Sequence, residues 1–114
     1  MQEYISALQK IVDEASIVID RPKGSKHPHY SDYVYELDYG YLEDTVSQDG
    51  SGIDVWCGAG GSTRITGILL ILDPVKKDSE IKLLLGCTNE ERVSAQSSSN
   101  RGKMIGVSIW EEIL

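Results

Sequence analysis

Two aspartates, Asp49 and Asp54, flank the turn Gly50-Ser51-Gly52-Ile53, and five of the chain's six tyrosines lie just upstream, between Tyr30 and Tyr41. Carboxylate oxygens are the ligands Mg²⁺ prefers, and a glycine-bearing turn lets two side chains of one short segment converge on one ion. The tyrosine hydroxyls add hydrogen-bonding groups for phosphate oxygens. Further along, Glu80 and Lys82 alternate with Ile81 and Leu83. On a strand this sets one acid and one amine about 7 Å apart on a single face, a metal ligand beside a phosphate-binding ammonium. By the same alternation Asp54 shares a face with Trp56, opposite Ile53, Val55 and Cys57. Each signal has a plainer reading too. Asp-Gly turns join strands without any ligand, Glu80 and Lys82 suit a solvated strand face, and a tyrosine cluster suits a core. His27 and His29, around Pro28 with no further His or Cys nearby, read as surface residues rather than a zinc pair.

The chain that must position these groups has 114 residues, a length suited to one domain spanning 1–114 around one core. Its net charge of −7 disfavours nucleic acid, whose backbone is held by clustered Lys and Arg, and would repel a small phosphorylated ligand unless a divalent metal reversed the local sign. Cys57 and Cys87 sit in or beside apolar runs without metal-type spacing, so reduced core thiols and a cytoplasmic location are expected. No charged-then-apolar leader is visible, and the longest purely apolar stretch, 68–72, is far short of a membrane span, so no membrane partner is expected.

Ile5, Leu8, Ile11 and Val12 fall on one face of a helix over residues 2–14. A short β-branched strand follows at 16–20, then an extended loop at 21–31 punctuated by Pro22, Gly24 and Pro28. Strands are predicted at 53–58, 64–73, 80–88 and 103–110, mostly antiparallel, with turns at 59–63 and 74–79. A helix at 89–96 has Thr88 or Asn89 as its cap and Glu90 and Glu91 in its first turn, and 97–101 is a polar, mobile loop. The apolar run 65–72 reads as a strand covered on both faces. The fold class is therefore mainly β with short helices, arranged as a small OB-like five-stranded barrel whose mouth is the ligand site.

Together these residues resemble the soluble family I inorganic pyrophosphatases, most closely their short bacterial form. Three ordered blocks carry the resemblance, over residues 17–88: Ile17-Val18-Ile19-Asp20-Arg21-Pro22-Lys23-Gly24-Ser25-Lys26-His27-Pro28, the tyrosine and aspartate run 35–54, and Glu80-Ile81-Lys82-Leu83-Leu84-Leu85-Gly86-Cys87-Thr88. The resemblance implies a pyrophosphatase-type barrel and a Mg²⁺-dependent hydrolase of pyrophosphate or a related phosphoanhydride, in which metal-activated water attacks phosphorus. It implies Asp49 and Asp54 as catalytic metal ligands, joined by Glu80 and Asp73, with Tyr35, Tyr39 and Lys82 on the phosphate, and Asp20 where the family has an active-site glutamate; Arg21, in the loop at 21–31, is a further phosphate-binding candidate.

The chain departs from the family's pattern in three places. Ser51 stands where the signature turn has its middle aspartate. The segment before Tyr35 omits a hairpin that carries a lysine, a glutamate and an arginine, a loss for which Arg21, Lys23 and Lys26 are the candidate replacements. A late tyrosine and lysine have no match near Gln96 and Ser97. A single arginine aimed at transition-state charge is worth about 10³ to 10⁵ in rate, so these departures favour a second reading. In that reading the chain is a catalytically degenerate relative acting by phosphate or metal binding, or through oligomer contacts. Surplus apolar surface on the first helix and on residues 105–114 leads to the expectation of a homodimer or larger assembly.

Overall fold

A computed structural model of the chain describes residues 1–113. Helix α1 (Gln2–Glu14) is followed by strands β1 (Ile17–Arg21), β2 (Asp38–Leu42), β3 (Ile53–Cys57), β4 (Ile65–Asp73) and β5 (Asp78–Leu85), helix α2 (Asn89–Ser98), strand β6 (Ile105–Ile109) and a 3₁₀ turn at Glu111–Ile113. The six strands form one mixed sheet in the order β1-β2-β3-β5-β4-β6. Every neighbouring pair is antiparallel except β3 and β5, because β4 hairpins back along the outer side of β5 and leaves the inner side to β3. The mainly-β class with two helices is what forms. Among the described residues the expected five-stranded barrel is instead a six-stranded sheet without hydrogen-bonded closure. The additional strand, β2, comes from the tyrosine run read only for its chemistry.

Both faces of the sheet are covered. On one, Leu8 and Val12 of α1 pack over Leu42, Val55, Ile65, Ile68, Leu83 and Leu85. The Gln9 side chain fastens the helix to the start of β4, accepting from Ile65 N at 2.8 Å and donating to Thr63 O at 3.0 Å. Ile11, assigned to the same apolar face, is exposed. On the other face Tyr35, Leu37, Tyr39, Trp56, Leu84, Cys87 and Ala95 of α2 form a second cluster with Leu69 and Ile71. β4 is covered on both sides only in its first half, and Leu70 and Leu72 are exposed. Both thiols are free, and burial pushes Cys87 up to about 12, as suits a core residue.

Thr88 caps α2 by a reciprocal box: its hydroxyl accepts from Glu91 N at 3.2 Å while Glu91 Oε1 accepts from Thr88 N at 2.9 Å. Gly40 allows β1 and β2 to cross closely at the irregularity between Ile19 and Arg21, since a Cβ there would lie 1.8 Å from the Val18 carbonyl oxygen. No helix among the described residues is long and apolar enough to cross a membrane.

Candidate functional site

The segment between β1 and β2 folds back on itself through a bridge between Lys26 and Val34. Its backbone is fixed by Tyr35 N donating to Ser25 O and His27 N donating to Tyr33 O, both at 2.9 Å. This excursion hangs His27, Tyr30, Tyr33 and Tyr35 over the polar end of the second cluster. Opposite it, residues 99–104 lead from α2 to β6. The mobile loop expected at 97–101 is not what forms: residues 97 and 98 complete α2, and Asn100 pins the rest, its Nδ2 donating to Gly106 O at 3.1 Å and its Oδ1 accepting from Gly106 N at 3.2 Å. The pinned loop sets the Arg101 guanidinium 4.3 Å from the Tyr33 ring centroid and 5.4 Å from that of Tyr30. A cleft of about 660 Å³ lies between the two segments, and Tyr39, Trp56, Asp73, Glu80 and Lys82 also line it.

The sheet register assembles the innermost part. Asp54 of β3 pairs with Lys82 of β5, and Tyr39 of β2 pairs with Trp56 of β3. Lys82 Nζ donates to Tyr39 Oη at 2.6 Å and lies 3.6 Å from Glu80 Oε1 and 3.9 Å from Asp54 Oδ2. The ammonium also sits 4.7 Å from the Tyr39 ring centroid. Lys82 and Asp54 are largely withdrawn from water, with side chains 19% and 28% exposed, whereas Glu80 is 37% exposed. Burial raises the Asp54 carboxyl above its usual range, and the charge of Lys82 pulls it back. The Tyr39 phenol is raised by burial and then by the negative charge of Asp54, so it stays protonated. Four sequence-predicted residues, Tyr39, Asp54, Glu80 and Lys82, are thus one network.

Arg21 and Tyr35 join the cleft beside it, the Arg21 guanidinium donating to Tyr35 Oη and lying 5.7 Å from its ring. Of the other candidate replacement cations, Lys23 and Lys26 do not line the cleft. Asp73 lines it, with its Oδ1 engaged in its own turn, accepting from Val75 N at 3.0 Å and Lys76 N at 3.1 Å. Asp49 is exposed in the β2–β3 connection. Its Oδ1 accepts from Ser47 Oγ at 2.6 Å and Ser51 N at 3.0 Å, bonds that hold its carboxyl below the usual range. Asp20 is exposed on β1.

The donor set does not fit a divalent metal. Among the described residues no three Asp, Glu, His or Cys side chains stand together as ligands. The two carboxylates that do converge, Asp54 and Glu80, converge on an ammonium, and Ser51 offers no third.

The cleft's charge runs against that of the chain. Arg21, Lys76, Arg101 and Lys103 line it, and among the described residues none of them is ion-paired. His27 reports the resulting field: desolvation lowers its pKa first, and Arg21, His29, Arg101 and Lys82 each lower it further. Sequence reasoning missed Arg101, Lys76 and Lys103, which lie in loops with no pattern of their own. It also gave no place in the cleft to Trp56, which lines it and whose indole N–H is buried and, among the described residues, finds no acceptor.

No family model and no curated protein matches the sequence. The fold is similar to the crystal structure of an inorganic phosphatase from Anaplasma phagocytophilum, with a TM-score of 0.58 and 16% identity over 82% of this chain and 81% of that one. At this identity the likeness is one of fold. It supports the architecture that the pyrophosphatase resemblance implies, and leaves family I membership and its chemistry resting on the resemblance alone.

Proposed function

We propose that this chain is a pyrophosphatase-fold protein that binds a small phosphate-containing anion in the cleft and does so without a divalent metal. The observation that carries this reading is the Lys82 network, in which a fixed ammonium on Tyr39, Asp54 and Glu80 stands among acids otherwise available to a metal. Two carboxylates nearly offset that ammonium, so Lys82 orients more than it attracts. Attraction comes from Arg21, whose planar guanidinium suits phosphate oxygens, and from the positive field of Arg101, Lys76 and Lys103 around the cleft. The Tyr39 phenol, held protonated, adds a neutral hydroxyl.

The Mg²⁺-dependent hydrolase has support of its own: the shared fold, and the meeting of Asp54, Glu80, Tyr39 and Lys82 at one place. Against it stand Ser51 and the turn bonds that Asp49 and Asp73 each accept through Oδ1. Calorimetric titration of pyrophosphate in the presence of EDTA tests the binding reading. Saturable binding that weakens at least tenfold in Arg21→Ala is expected. Heat that appears only when Mg²⁺ is added would overturn the reading in favour of the hydrolase.

A further inference from the structure

The cleft has two ends of different chemistry, and a bare diphosphate uses only one. Its inner end is the polar network of Lys82, Tyr39, Arg21 and Tyr35. Its outer end is aromatic: Tyr30 is 58% exposed, the His27 ring lies 4.8 Å from it, and the Arg101 guanidinium lies 5.4 Å from it. A ladder of rings connects the two ends, with His27 stacked on Tyr35 at 6.2 Å and Tyr35 tilted against Tyr39 at 5.6 Å. We propose that the ligand is a phosphoanhydride carrying a planar ring, of the nucleoside diphosphate class, with its phosphates at Arg21 and Lys82 and its ring on Tyr30 and Arg101. The inference rests on the phosphate-binding reading and adds the identity of the remainder of the ligand.

Size, surface and charge each support it. A cleft of about 660 Å³ falls within the range that encloses whole organic ligands, far more than a diphosphate fills. Tyr35 belongs to the core and the half-buried Tyr33 packs on it edge to face at 4.9 Å, whereas Tyr30 keeps an open ring at the mouth, where core packing does not account for it. Tyrosine and arginine planes together form a stacking platform for a nucleobase. The net charge of −7 repels a polyanion, while the cations confined to the cleft accept a single short phosphate chain. Base preference is expected to be weak. The Ser98 and Ser99 hydroxyls near the ring end donate to Ala95 O, so their protons are not available to read a base edge.

The test is calorimetric titration of ADP and of pyrophosphate, both in EDTA, into the wild type, Tyr30→Ala and Tyr30→Phe. ADP is expected to bind the wild type about tenfold more tightly than pyrophosphate. The ADP-to-pyrophosphate affinity ratio should fall to about one in Tyr30→Ala and return in Tyr30→Phe. Pyrophosphate binding with no advantage for ADP would overturn the nucleotide inference and leave the phosphate reading standing. Binding of neither would overturn both. An unchanged ratio in Tyr30→Ala would remove Tyr30 as the platform and refute the inference as stated.

Discussion

Replacing Lys82 with alanine strips the cation from two carboxylates, one of them largely buried, and leaves a pH signature that distinguishes electrostatics from lost packing. At 3.9 Å and 3.6 Å each carboxylate attracts the ammonium by about 4 kcal/mol at an effective dielectric near 20. The Glu80 share is discounted heavily because that carboxylate remains in contact with water. Desolvation of Lys82 and Asp54 offsets part of the rest, so a net loss of about 1–3 kcal/mol is expected at neutral pH. For a chain of this size that lowers Tm by roughly 4–12 °C.

The pH dependence follows from Asp54. Its folded pKa is raised, so the native state holds the proton more tightly than the unfolded chain. Stability from this group therefore falls as pH rises from the unfolded pKa through the folded one. Removing Lys82 raises the folded value further, because the nearby positive charge that lowers it is gone. The deficit of Lys82→Ala against wild type should thus be largest at pH 7 and shrink as the pH is lowered through the folded pKa of Asp54. Lys82→Met, which keeps an apolar stem, should show the same pH dependence with a smaller constant offset. Urea unfolding followed by circular dichroism between pH 4 and pH 8 reads both variants. A deficit that does not change with pH would refute the electrostatic account of the network.

Gly40→Ala should destabilise by about 2–4 kcal/mol, read as a lower urea midpoint, because the added carbon meets the Val18 carbonyl rather than a movable side chain. Thr88→Ala should cost about 1 kcal/mol through loss of the capping box on α2, with Thr88→Ser recovering most of it in the same assay. The His27 ring should titrate below the ordinary histidine value by NMR, and pyrophosphate should raise its pKa by screening Arg21 and Arg101. The edge strand β6 exposes Ile105 and Val107 without a charge or proline to blunt it, so the wild type should associate and Val107→Glu should be monomeric in light scattering.

The elements with strong periodicity were legible. Helix α1, strands β1, β3, β4 and β5, and the capped start of α2 fall where hydrophobic spacing and the Thr88 signal put them. β2 was not, because Asp38-Tyr39-Gly40-Tyr41-Leu42 combines residues that suit a ligand site with a glycine that weakens a strand. The central network was half legible. Strand alternation brings Glu80 and Lys82 to one face, but their charged ends meet at 3.6 Å rather than at the backbone spacing, because long side chains lean toward each other. That Asp54 joins them depends on the parallel β3–β5 pairing, a non-local choice with no sequence mark. Asp49 Oδ1 is engaged within its own turn by Ser47 and Ser51, and that local bonding competes with a shared ion, although its charge still acts on Lys82 and Asp54. Arg101 was out of reach of periodicity, since Asn100 side-chain bonds, not a regular element, aim it at Tyr33.

Phosphate release from pyrophosphate, measured with and without Mg²⁺ and against an Asp54→Ala control, bears most directly on the claim that Lys82 stands where a metal would be needed. The expected result is no release above the control under either condition. Mg²⁺-dependent release that disappears in Asp54→Ala would contradict the claim and make Asp54 a metal ligand that Lys82 yields during turnover.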